Sequence, residues 1–171
     1  MKENNEKAFI QLYDKYAPQI YRFVFFKTNS THDAEDLTSE AFFKFWKNRL
    51  GEKNIDNPRA MLYRIANNLI TDFYRKRSKK ELSLIDSDKN VLNIAGEIDL
   101  YRKAEFDSEL KEIVKSINKI KGEYQNIIIW HYLEDFSIKE ISQITEKPQG
   151  SIRVLLYRAM KSLKKGLNSN K

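Results

Sequence analysis

From Glu81 to about Glu105 the helical rhythm that runs through the rest of this chain stops, and that interruption restricts the fold more than any other feature of the sequence. On either side apolar residues recur at steps of three and four, the period of one helix face. Between them the residues are acidic and polar, with Leu, Ile and Val scattered among them. About 25 residues without a pattern is too long for a connection inside one compact domain, so the segment reads as a flexible tether. The expected organisation is a first helical body over 1–80, a linker over 81–106 and a second helical body over 107–171. Five Gly and three Pro in 171 residues leave little for a strand-and-turn architecture, so both bodies should be all-α.

The first body should hold three to four helices. Phe9, Leu12, Tyr13, Tyr16, Ile20, Phe23 and Val24 make one apolar stripe, which Pro18 should kink or split because it lacks an N–H and crowds the preceding turn. Thr31 or Asp33 can cap a second helix whose inner side is Ala34, Leu37, Ala41 and Phe45, running to about Asn48. The stretch NRLGEKNIDNP is rich in turn formers, and Pro58 suits the first turn of a third helix. That helix should reach about Lys76 and turn Leu62, Ile65, Ala66, Leu69 and Phe73 inward.

In the second body, four helices are expected. Leu110, Ile113, Val114, Ile117 and Ile120 share one face, and Gly122 stands in a helix-terminating position. A strongly apolar segment follows, with Ile127, Ile128, Ile129, Trp130, Tyr132 and Leu133. Ser137 and Glu140 have the spacing of a capping box, which opens a short helix ending near Ile144. Thr145 to Lys147 form a turn, Pro148 starts the last helix, and Ile152, Leu155, Leu156, Ala159 and Leu163 are its buried ladder. Two short helices joined by so tight a turn form a helix-turn-helix. At about 100° per residue, Gly150, Arg153, Val154, Tyr157, Arg158 and Lys161 fall on the outer side of the last helix. Arg can grip guanine through two acceptors, Val can touch a thymine methyl and Lys can neutralise phosphate. A single such face is most often plain solvated surface; the capping box, the turn length and the charge favour a DNA-reading helix.

Charge supports a polyanionic partner. The chain carries +7, with 16 basic and 10 acidic residues over 1–80, three and six over 81–106, and twelve and eight over 107–171. In the first body, Asp33, Asp36, Glu40, Lys44 and Lys47 share a stripe with Phe43 beside it, a face able to dock a basic protein. Arg64, Asn68, Thr71 and Arg75 align opposite the core of the third helix, with Tyr63 and Tyr74 near enough to stack on unpaired bases. Packing against a neighbouring helix is the commoner role for such a Tyr.

No cofactor, metal or catalytic residue is expected. Cys is absent, the two His are His32 and His131, and there is no Walker loop, HExxH or GxSxG. No apolar run reaches 18 residues and the chain opens with MKENNEK, so neither membrane insertion nor a secretion signal is expected, and a reducing cytoplasm is the simplest home.

The strings DAEDL followed by FxKFW, YRIAxN with DxxRKR, SIKEIS and GSIRxxLYRAMKSLK resemble the bacterial extracytoplasmic-function (ECF) sigma factors, in that family's order and spacing, from about Phe9 to Leu167. The resemblance implies a non-enzymatic RNA polymerase sigma factor that binds core polymerase and promoter DNA, melts the promoter and is restrained by an anti-sigma protein. It places Asp36, Ser39, Glu40 and Trp46 against the polymerase clamp. Asn68, Thr71, Asp72 and Arg75 would face the minus-ten element, with the loop Arg49 to Asn57 receiving a base turned out of the melted strand. Arg153, Val154, Tyr157, Arg158 and Lys161 would sit at the minus-thirty-five groove. Two departures stand out. Ser39 occupies a position where the family commonly has Gln, and Val154 and Leu155 replace a frequent Ser-Arg pair, so one polar groove contact fewer is expected. The alternative is a stand-alone helix-turn-helix regulator that binds duplex DNA by itself.

Overall fold

The computed structural model describes residues 2–51, 55–84 and 108–168, and all regular structure among them is helical. The chain divides into two compact units, Met1–Ile98 and Asp99–Lys171. In the first, α1 (Lys2–Thr28), α2 (Thr31–Gly51) and α3 (Pro58–Leu84) pack pairwise into a three-helix bundle. In the second, α4 (Ser108–Lys119), α5 (Gly122–Ile128) and α6 (Ile138–Thr145) pack against α7 (Gln149–Asn168), and a π turn (Ile129–Leu133) between α5 and α6 packs against both of them. The tether expected over 81–106 lies outside the described residues beyond Leu84; its first four residues continue α3.

The bundle core is built from the expected stripes. Ile20, Phe23 and Val24 of α1 are buried with Ala34, Leu37, Ala41 and Phe45 of α2 and Leu62, Ile65, Ala66 and Leu69 of α3. Pro18 does not split α1. Packing anchors the helix on both sides of the proline: Phe9 and Tyr13 meet Phe42 and Trp46 of α2 before it, and Phe23 meets Tyr63 of α3 after it. Those contacts hold the helical path across the lost backbone donor.

Boundaries shifted where a side chain outside the expected set supplied a cap. The α2 cap is Ser30, whose Oγ accepts from the Asp33 backbone N–H at 3.2 Å, in place of Thr31 or Asp33. Gly51, read as a turn former, is the last residue of α2. Asn57 Oδ1 accepts from the Ala60 N–H at 3.0 Å, with Pro58 in the first turn of α3 as expected. α3 then runs past Lys76 to Leu84 because RKRSKKELSL is mostly strong helix former.

Gly122 begins α5 instead of ending α4. The open carbonyls at the end of α4 are met by a side chain: Gln125 Nε2 donates to Asn118 O and Ile120 O at 3.2 and 3.1 Å. A left-handed glycine is then unnecessary, and none occurs among the described residues. The apolar segment that follows widens into the π turn, which buries Ile129 and Trp130 but leaves Tyr132 and Leu133 exposed. The capping box is complete, with Glu140 N–H to Ser137 Oγ at 3.2 Å and Ser137 N–H to Glu140 Oε2 at 2.9 Å. Glu146, at φ 57°, ends α6 in the left-handed conformation. Ile152, Ala159 and Leu163 bury the inner side of α7, with Leu155 and Leu156 half-buried beside them.

At the α1–α3 corner the Tyr74 hydroxyl donates to the Lys27 carbonyl. Burial lowers the Lys27 ammonium from 10.5 to about 8. Burial also raises the Tyr74 phenol, with the Arg77 charge lowering it and Asp33 raising it by smaller amounts. Below pH 8 Lys27 is charged both folded and unfolded, and the folded state carries the cost of desolvation. Between 8 and 10.5 the unfolded chain holds the proton more tightly, so stability rises with pH. The retained Tyr74 proton reverses the trend above its usual value of about 10. Urea unfolding should therefore show a gain of about 1–2 kcal/mol from pH 7.5 to 9.5 that is absent in Lys27→Met; a flat wild-type profile contradicts the desolvation.

Candidate nucleic-acid interface and partner face

On α2 the Asp36 and Glu40 carboxylates point outward, and among the described residues each pairs with a neighbour on the same helix. Asp36 Oδ2 lies 3.2 Å from His32 Nδ1 and Glu40 Oε1 lies 3.3 Å from Lys44 Nζ, with the Asp36 side chain 70% and the Glu40 side chain 48% exposed. Exposed pairs at this spacing are worth only a few tenths of a kcal/mol, about 0.3–0.5, so either carboxylate can be given over to a partner at small cost. Ser39 is exposed between them. Phe43 is 59% exposed, with the Lys47 ammonium 5.2 Å over its ring. Trp46 is half-buried, its ring 4.7 Å from Phe9, so part of its surface belongs to the bundle and the rest faces out.

α3 presents Asn68, Thr71 and Arg75 to solvent with Asp72 half-buried among them. Thr71 Oγ1 donates to the Asn67 carbonyl at 2.9 Å, and Arg75 is paired with Asp72 at 3.0 Å. The pair is as exposed as those on α2, so Arg75 too can be given over to a partner at small cost. Arg64 is half-buried on the same helix. The two tyrosines do not belong to this face. Tyr63 is fully buried with its ring centroid 5.4 Å from Phe23, and Tyr74 is engaged with α1 through its hydroxyl. In the segment Arg49 to Asn57, Arg49 belongs to α2 and Asn57 to the α3 cap, while residues 52–54 lie outside the described residues.

α7 carries the third face. Gly150, Arg153, Val154, Tyr157, Arg158 and Lys161 are all exposed. Three contacts link the segments of this unit beneath them. The Lys147 ammonium pairs with Glu123 of α5, tying the turn to the body of the unit. Ser142 Oγ donates to the Lys147 carbonyl. His131 Nδ1 is 2.9 Å from the Phe136 carbonyl, joining the π turn to the start of α6. The Glu123–Lys147 pair links residues too far apart in sequence for helical spacing to have found it. Ile10, Tyr13, Ile113, Tyr132 and Leu133 are also exposed.

No group of three or more His, Asp or Glu side chains that could hold a metal occurs among the described residues. No described helix is long and apolar enough to cross a membrane.

Comparison with known proteins divides the chain in the same way. Residues 12–80 match the family model of sigma-70 region 2, and residues 110–163 match that of sigma-70, region 4. The chain is 28% identical to the ECF RNA polymerase sigma factor SigW of Bacillus subtilis (strain 168), over 98% of this chain and 92% of that protein. Its fold is similar to that of the sigma factor RpoE in a co-crystal structure with the anti-sigma factor NepR from Bartonella quintana, with a TM-score of 0.74 and 21% identity over 96% of this chain and 99% of that one. It is also similar to CnrH in a complex with the cytosolic domain of CnrY, with a TM-score of 0.68 and 17% identity over 97% and 91% of the two chains.

Proposed function

The chain belongs to the sigma-70 family, in its extracytoplasmic-function branch, and on that premise we propose how its two helical bodies divide the work of starting transcription. Core RNA polymerase binds the outer side of α2 through Asp36, Ser39, Glu40 and the free part of Trp46. Promoter DNA binds at two places. Asn68, Thr71, Asp72 and Arg75 of α3 take the minus-ten element; Arg153, Val154, Tyr157, Arg158 and Lys161 of α7 take the minus-thirty-five element. The observation that carries this reading is the order of the two matched regions, the second of them ending in an exposed, basic helix-turn-helix face.

Each DNA face is small, and neither needs to hold a promoter alone. Polymerase fixes the separation of the two bodies, so the second contact forms at high effective concentration once the first is made. Melting follows from capture. Turning a base out of the stack costs a few kcal/mol, roughly 2–4, and a surface that binds only the extruded base offsets that cost. The chain itself catalyses no reaction; bond formation belongs to polymerase. The protein acts in the cytoplasm, where polymerase is, and an anti-sigma protein that covers the α2 side would hold it inactive. Support for such a partner comes from the similar fold of RpoE, solved with its anti-sigma factor.

A gel-shift and run-off series with genomic promoter fragments tests the reading. The purified chain alone should retain no fragment selectively, and adding core polymerase should produce both a sequence-specific complex and a defined transcript. Selective retention by the chain alone, with no transcript when polymerase is added, would instead identify a stand-alone regulator.

A further inference from the structure

Four residues of α7, Gly150, Val154, Tyr157 and Lys161, follow one another at steps of four, three and four, so they lie within about 60° of one line along the helix. Ile152, Ala159 and Leu163, which are buried, lie on the opposite side. The line is therefore the crest of the exposed face, the part that reaches deepest into a groove. Its middle is apolar: Val154 is 49% and Tyr157 70% exposed. Arg153 and Arg158 flank it, one on each side, where the walls of a groove stand. This is the reverse of a crest built for hydrogen bonding.

Base edges in the major groove offer donors and acceptors, and one apolar group, the C5 methyl of thymine. A donor or acceptor covered by Val154 would lose water and gain no partner. A methyl loses nothing and gains contact with two apolar side chains. Gly150 adds a second feature. A Cβ built there meets no atom within 4 Å, and its backbone φ is not left-handed, so nothing in this chain requires glycine. The bare backbone leaves the approach to Val154 open along the crest.

We infer that α7 reads its DNA element through thymine methyl groups, with the Val154 side chain and the Tyr157 ring covering the C5 methyls of thymines at neighbouring base pairs while Arg153 and Arg158 reach to either side. The inference rests on the minus-thirty-five role proposed above for this helix.

Deoxyuridine tests it, because it keeps every hydrogen-bonding group of thymine and lacks only the methyl. Promoters are selected by the reconstituted holoenzyme from a library randomised across the upstream element. Each thymine of the selected element, on either strand, is then replaced by deoxyuridine. At one or two adjacent positions the substitution should lower open-complex formation about fourfold, the equivalent of one buried methyl. Holoenzyme carrying Val154→Ser, a change at an exposed position, should use the thymine and deoxyuridine templates equally at the position under Val154 and keep its preference for thymine at the one under Tyr157. Indifference of the wild type to every substitution, a selected element without thymine under α7, or undiminished discrimination by Val154→Ser at every sensitive position overturns methyl readout and leaves the sigma-factor role standing. A holoenzyme that transcribes no member of the library removes that role and the inference together.

Discussion

Asn68→Ala should lower the rate of open-complex formation by about one to two orders of magnitude and leave the affinity for core polymerase unchanged, since a base contact of this kind is worth about 1–3 kcal/mol. Asn68 is exposed on α3, on the side away from buried Leu62, Ile65, Ala66 and Leu69. Its amide offers two donors and an acceptor, the inventory needed to pair with the edge of a base that has left its partner. Alanine removes all three groups while favouring the helix slightly, so the fold is not at issue. The loss should appear in the melting step: permanganate reactivity of the minus-ten thymines falls, and polymerase co-purifies with the variant as it does with wild type. Equal loss of polymerase binding and melting would move Asn68 off the DNA side.

The contrast between Asn68 and Tyr63 marks where sequence reading works. Both stand on α3, and helical spacing assigns Asn68 outward because four aliphatic residues define the opposite side. Tyr63 is ambiguous by spacing alone, since an aromatic ring can serve as core or as a stacking platform; its burial depends on Phe23, forty residues earlier in another helix. Local chemistry was legible. The Ser137–Glu140 capping box and the Pro58 start of α3 need only residues within one turn of each other. Features settled by partners beyond that range were not. Gln125 does the work expected of Gly122, packing by Phe42 and Tyr63 carries α1 through Pro18, and the π turn that turns Leu133 outward is invisible to a 3.6-residue period.

The candidate site divides by the same rule. The outer side of α7 was readable because one amphipathic helix defines it, whereas the Glu123–Lys147 pair that steadies the turn beneath it depends on α5. Trp46 shows both regimes in one side chain. Its position beside the acidic stripe follows from helical spacing, and its shared burial with Phe9 follows only from how α1 meets α2.

Reversing the charge of both carboxylates on α2, Asp36→Lys with Glu40→Lys, should weaken core polymerase binding at least about a hundredfold, because juxtaposed like charges at a docked face cost several kcal/mol. The bundle should tolerate the change. Both side chains are exposed, their partners His32 and Lys44 lie on the same helix, and the new Glu40→Lys repulsion with Lys44 costs only about 0.2–0.5 kcal/mol. The variant is four charges more positive than the parent, so its non-specific attraction to DNA rises. Binding must therefore be measured with core polymerase in the absence of DNA, where the added charge can act only on the protein contact. A loss confined to that measurement, with unchanged unfolding and stronger retention on random DNA, assigns the carboxylates to the polymerase side. Undiminished polymerase binding would leave the stripe as solvated surface and turn attention to the exposed apolar residues of the same body, Ile10, Tyr13 and Phe43, whose contact with a partner would be insensitive to charge and to salt.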